Sequence, residues 1–282
     1  MSAIDKIYNF LSIKQILYGL LVLIVLWILL NPIGLPQGIS ASTRNVYSYV
    51  DKLPQNPKIL VDVYYEPASA TEVQPMLGAF LRQLLPKNPK VVFESTINTG
   101  PAMFPKLQSY VPDVFSKMKE GDDWVYLGYL AGYETSVAAL AKGIKEYVAQ
   151  DNFGKSTASM SIFSVADKAS DFNLVVVVTS GTDPIEWYIR QWETPFKVPV
   201  LMFVLSVIAP SVQPFLSSGQ AVGMLTGQKA AAEYELLIGK PGAAVAATDA
   251  QSGAHVLIMA YIVLGNLLYW PMRLREKRRK TK

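Results

Sequence analysis

Residues 173–183 read NLVVVVTSGTD. One leucine and four valines run on without polar alternation, the pattern of a strand apolar on both faces. Asp183 followed by Pro184 supplies an N-cap and a proline at the first helical position, so a helix is expected to start there. Strand, glycine turn, helix is the unit from which parallel sheets are built.

The same unit recurs on either side. Apolar runs at 58–65 (KILVDVYY), 90–94 (KVVFE), 124–130 (WVYLGYL) and 200–206 (VLMFVLS), with a weaker one at 221–225, read as further strands. Between them, helical stretches are expected at 70–85, 103–119, 134–150, 184–193, 210–216 and 228–238. Gly239 and Pro241 stop the last of these. The expected fold is α/β: a single Rossmannoid domain over 58–240, its parallel sheet covered by helices in three layers. The βα order and the unit SSGQAVGMLTGQKAAAEYE at 217–235 resemble, over residues 58–238, one lobe of a periplasmic sugar-binding protein or a response-regulator-like Rossmannoid. The run at 198–209 is too short for a membrane span and is read as a buried strand.

Outside this core the chain turns hydrophobic. Residues 16–30 (ILYGLLVLIVLWILL) carry no charge. Extended to 35 they reach the roughly twenty residues that a bilayer core requires. An uncleaved anchor is expected, because Ser40, Ala41 and Ser42 make a poor signal-peptidase site. Residues 254–272 (AHVLIMAYIVLGNLLYWPM) form the second span, closed by the aromatic pair Tyr269 and Trp270 and then Arg273. Residues 1–15 read as a cytoplasmic tail or interfacial helix, 36–57 as a neck, 241–253 as a flexible linker and 273–282 as a basic cytoplasmic tail.

The net charge of +4 is not spread evenly. Lys6, Lys14, Arg273, Arg275, Lys277, Arg278, Arg279, Lys280 and Lys282 are nine cations against Asp5 and Glu276. The tails therefore hold +7, which leaves −3 on the body. That distribution is a topology signal and not a nucleic-acid footprint. It places both termini in the cytoplasm and residues of about 40–250 outside, in a two-pass protein of the cell (inner) membrane.

The chain has no cysteine, and its one histidine, His255, lies at the edge of the second span. Disulfides, thiolate catalysis and thiolate zinc sites are excluded. A Ser–His–Asp triad or histidine metal site in the outer domain has no histidine to use. No metal or cofactor is expected.

In open parallel sheets, ligands meet the loops at the carboxyl ends of the strands. That rule selects Glu66 and Ser69; Glu94, Ser95 and Thr96; residues 129–134; Ser180, Gly181, Thr182 and Asp183; Ser206; and Thr226 with Gly227. The turn at 179–183 has the form of an anion cradle, although it matches neither phosphate-loop pattern and also reads as an ordinary capped turn. Glu66, Glu94 and Asp183 are a candidate carboxylate cluster. Asp62, mid-strand between Val61 and Val63, is expected to sit on an exposed face or to pair with Lys or Arg.

The stretch 151–172 exceeds the usual connection of about 2–6 residues. Its Met160, Ile162 and Phe163 are expected either to meet a partner or to fold back on the sheet. In the second span, Gly265 and Asn266 offer a close approach and a hydrogen bond to another helix. The expected partners are the lipid bilayer and other protein chains, of this or another kind. The leading expectation is a membrane-anchored, non-enzymatic subunit whose outer domain mediates assembly. The alternatives are a small-ligand-binding subunit of a transporter or sensor, and a carboxylate-dependent hydrolase or transferase.

Overall fold

The computed structural model describes Phe10 and residues 13–280, the side chains of 272 and 275–280 excepted. The tail expected at 1–15 falls mostly outside the described residues, as do the side chains of most of the basic tail. Two compact units are present, one of residues 37–244 and one combining the chain up to Pro36 with that from Val245 onward.

In chain order the elements begin with α1 (Lys14–Leu30), α2 (Ala41–Asp51), β1 (Lys58–Tyr64) and α3 (Ala70–Leu84). They continue with β2 (Lys90–Ser95), α4 (Gly100–Tyr110), β3 (Trp124–Tyr129) and α5 (Glu134–Lys142). After the long excursion come β4 (Leu174–Thr179), α6 (Asp183–Tyr188), β5 (Val200–Val204) and α7 (Ala209–Ser217). The chain closes with β6 (Gly223–Thr226), α8 (Gly227–Leu237) and α9 (Ala243–Lys280).

In the unit 37–244 the six strands form one parallel sheet in the order β3-β2-β1-β4-β5-β6, a Rossmann-like α/β arrangement. The chain builds outward from β1 to β3, then returns to lay β4 on the other side of β1. The β1/β4 junction is therefore the topological switch point. Every residue of β4 and β5 is buried, which is why neither run alternates.

Three expectations about this unit need correction. The neck contains α2, whose start is fixed by Ser40: its Oγ accepts from the Thr43 N–H at 3.3 Å. Val46 and Val50 of α2 are fully buried, and Val46 lies so close over β6 that a Cβ on Gly223 would sit 2.7 Å from its Cγ2. Met160, Ile162 and Phe163, candidates for meeting a partner, fold back on the sheet instead. The excursion folds into short 3-10 turns that press all three into the core with Phe172 and Trp192. The helix after β4 leaves α geometry at residue 189 and runs as a π-turn to 193. Pro195 has no N–H to return to the Gln191 carbonyl, so the ladder widens there.

The second unit holds α1 and most of α9. Over Ala243–Pro271, α9 is long and apolar enough to cross a membrane by length and composition. With 17 residues, α1 rises about 26 Å and falls short of a full core. The first span, expected to reach 35, is helical only to Leu30. The N–H groups of Ile33, Gly34 and Leu35 instead donate to the Asp249 carboxylate at 3.0, 2.7 and 3.2 Å. A Cβ on Gly253 would lie 2.4 Å from Ile28 and 3.3 Å from Ile24, so the two helices lie side by side and antiparallel. The stretch 241–253, expected to be a flexible linker, is helical from Ala243 on, because Asp249 has these three donors to hold.

Candidate functional site

Along β1, side chains alternate faces: Leu60, Asp62 and Tyr64 share one, toward α5 and α6. The register pairs Asp62 with Glu94 of β2, which puts two carboxyl groups side by side. Both are fully buried. No Lys or Arg reaches Asp62, contrary to expectation. Its donors are the Thr96 N–H and Oγ1, at 3.4 and 3.3 Å. Glu94 Oε1 accepts from the Tyr188 hydroxyl of α6 at 2.5 Å. Glu94 Oε2 has no hydrogen-bond donor, and the two acids act on one another through their side chains.

Burial is the chief force on this pair. It pushes Asp62 up to about 7, while the hydrogen bonds from Glu94 and Thr96 pull the other way. Burial, then the charge of Asp62, pushes Glu94 well above the carboxylate range, against the Tyr188 bond. Both acids are therefore held above the usual carboxylate range, with burial as the chief cause.

Above the pair lies the mouth, a cluster of three aromatic rings at the carboxyl ends of the strands. The Tyr64 ring meets Trp187 of α6 edge-on, centroids 6.2 Å apart and planes at 81°. Tyr133 also meets Trp187, centroids 5.7 Å apart and planes at 55°. Three rings thus form an angled corner. Burial raises the Tyr64 hydroxyl, followed by the negative charges of Asp183 and Asp62, then Tyr133 and Glu66. Asp183 and Glu66 are therefore within electrostatic reach of this corner.

Tyr133 is held there at a cost. Its φ of 53° and ψ of −123° are a conformation in which a side chain is strained by about 1–3 kcal/mol. The turn is over-determined by its neighbours. Gly132 supplies φ 118°, its carbonyl accepts from Thr135 Oγ1 at 2.6 Å, and the Tyr133 carbonyl accepts from Ser136 Oγ at 2.6 Å. Glu134 then takes Arg190 of the helix after β4 in a two-bond fork, both at 2.9 Å, with Gln191 at 2.8 Å. The strand-to-helix turn is clamped, and the ring it carries stays 60% exposed.

Of the residues selected from sequence, Glu94 and Thr96 meet Asp62, and Glu66 and Asp183 line the mouth. Glu66, Glu94 and Asp183 do not converge: among the described residues no three His, Cys, Asp or Glu side chains are grouped to hold a metal. The turn at 179–183 is closed on itself. Thr179 Oγ1 accepts the Gly181 N–H at 2.9 Å, Ser180 N–H goes to the Tyr64 carbonyl at 3.0 Å, and Thr182 O takes the Ile185 N–H. The N–H groups of Ser180 and Gly181 are thus used inside the turn, and the helix behind it is only six residues long. Thr182 has no side-chain capping bond and Asp183 is the first helical residue, not the cap. Ser95 Oγ donates to the Val63 and Ile97 carbonyls, a structural role. Ser206 is tied to Glu72 by two bonds of 2.7 Å, beneath Gly227, where a Cβ would strike it.

Sequence reasoning passed over Tyr64, Trp187 and Tyr188. The Asp62–Tyr64 spacing of two residues was the one legible signal that Tyr64 shares the acid's face. At the opposite end of the sheet a cavity of about 440 Å³ is lined by Tyr47, Asp51, Arg82, Gln83, Lys87 and Lys240, among others. Its cations are already engaged, Arg82 with Asp113 and Lys87 with the Asp51 and Leu53 carbonyls.

No family model, curated protein or solved structure matches the chain.

Proposed function

We propose that the chain is a two-pass membrane protein with both termini cytoplasmic, and that its α/β domain is an extracytoplasmic, non-enzymatic binding subunit. The ligand is received at the carboxyl ends of β1 and β4. The observation that carries this reading is Tyr133: a clamped, strained turn holds a large ring 60% exposed at the carboxyl end of the sheet, with its contact to Trp187 as the gain that folding draws from it. Support for the topology comes from the antiparallel pairing of α1 and α9, which sets Lys14 and Arg273 toward the same end of the pair.

A carboxylate enzyme has less support, because Asp62 and Glu94 are sealed from solvent. The assembly role loses its excursion residues. It retains α9, where the space beside Gly265 is open, although Asn266 already donates to the Ile262 carbonyl of its own helix at 2.8 Å.

Ser164 is exposed and the chain lacks cysteine, so a Ser164→Cys variant is a clean reporter. An impermeant maleimide is expected to label it in intact cells and to spare a cysteine appended to the basic tail. The opposite pattern inverts the topology. For the binding role, native mass spectrometry of the full chain in mild detergent should show a retained small solute that is lost in Tyr133→Ala. Equal retention by both proteins would remove the mouth from the function.

A further inference from the structure

From the chemistry of this mouth we infer its ligand class: an organic cation of the quaternary or methylated ammonium type. The inference rests on the binding role proposed above and adds the identity of what is bound.

Three aromatic rings meet at steep angles around Trp187, and they form a corner and not a flat stacking platform. Ring faces in a corner attract a poorly hydrated cation through their quadrupoles. A flat platform would suit a sugar or a base instead. The charge around the corner has the matching sign. Asp183 and Glu66 both act on Tyr64. Among the described residues neither Glu66 nor Asp183 has a cation within ion-pair distance. The nearby Arg190 is taken by Glu134 and Glu186. The mouth is thus aromatic, negative and without a counter-ion of its own.

A hard metal ion does not fit this set. Calcium and magnesium take about six or more oxygens, and the acids here are not grouped for one. A positively charged head wrapped in methyl groups gains from the rings what it cannot gain from a short supply of oxygens. The built-in strain at Tyr133 has the same direction, because it brings the third ring to the corner.

The test uses the full-length protein in detergent and isothermal titration with choline chloride, with 3,3-dimethylbutan-1-ol as the neutral isostere and phosphocholine as a third probe. Choline is expected to bind about tenfold more tightly than the isostere. Phosphocholine is expected to bind more weakly than choline, since its phosphate meets Glu66 and Asp183. Tyr133→Ala should weaken choline about tenfold, and Asp183→Asn by a smaller factor, with thermal unfolding of both variants close to the parent's. Equal binding of choline and the isostere would overturn the cation while leaving the mouth as a binding site. Tighter binding of phosphocholine would overturn a free solute. If choline does not bind but Tyr133→Ala still loses a retained solute, the ligand class is wrong and the binding role stands. If choline does not bind and no solute is lost, both fall.

Discussion

Two connections at the edges of the sheet carry large apolar side chains, and the protein treats them in opposite ways. The excursion over 151–172 folds Ile162 and Phe163 inward until they are 0% and 1% exposed. The four-residue turn after β3 does the reverse, accepting a strained backbone and building a clamp so that Tyr133 remains in solvent. Burial of apolar area is the default outcome of folding. An aromatic ring kept out of the core against local strain therefore asks for an explanation outside folding, whereas a buried one does not. The long loop, which looked like the functional excursion, is core. The short one is the better candidate.

The most forceful way to break this contrast is to make the excursion polar. Replacing Ile162 and Phe163 with Ser leaves cavities under the sheet and buries new hydroxyls. Each change is expected to cost about 2–5 kcal/mol. The melting temperature should collapse, and the particle mass, read by native mass spectrometry before unfolding, should not change. A lower mass at unchanged melting temperature would restore these side chains to an interface.

Much of this architecture was legible because two-sided burial writes itself into the sequence as unbroken valine runs, as at 174–178. The long apolar helix near the C-terminal end was equally plain. The helix α2 was missed because Pro, Gly and Ser upstream of it dominate the composition, while Thr43, Val46 and Val50, three to four residues apart and all buried, carry the helical spacing. The Asp62–Glu94 pair depends on strand register across residues 32 apart in sequence, which no local pattern encodes. Tyr133 was selected only as part of a loop. A positive φ at a tyrosine leaves no compositional trace, since the residue expected there is glycine.

The acid pair lies beneath the mouth, buried like the excursion but short of donors, and its titration sharpens the comparison. Asp249, also fully buried, shows what full supply looks like: its two carboxylate oxygens accept from the Ile33, Gly34 and Leu35 N–H groups at 3.0, 2.7 and 3.2 Å. The groups facing Asp62 and Glu94 are Thr96, Tyr188, Tyr64 and Tyr126, none of them a cation. Both acids have raised values, so the folded protein binds more protons than the unfolded chain. Stability is then complete below about pH 4 and falls as pH rises through about 7, where Asp62 ionises. Asp62→Asn removes this loss. Relative to the parent it is expected to be on the order of 2–4 kcal/mol more stable at pH 8 than at pH 4. Denaturant midpoints across that range measure the difference. Parallel pH curves for parent and variant would mean that the pair is supplied with charge or water after all.

The smallest effect is the most discriminating, and it concerns Tyr133 alone. Glycine and alanine both delete the ring and its contact with Trp187, so the two variants lose the same packing. They differ in the backbone. Alanine keeps the strain of φ 53°, about 1–3 kcal/mol, and glycine relieves it while losing about 0.5–1 kcal/mol to the freedom of its unfolded chain. Tyr133→Gly is therefore expected to be more stable than Tyr133→Ala by about 1 kcal/mol, a shift of a few degrees in melting temperature at this chain length. Both should lose the same binding, because the ring is what the ligand meets. If glycine proves no more stable than alanine, the turn is not strained and Tyr133 is exposed at no cost. If alanine retains ligand, the exposed ring is surface and nothing more, and the difference between the two loops no longer separates function from packing.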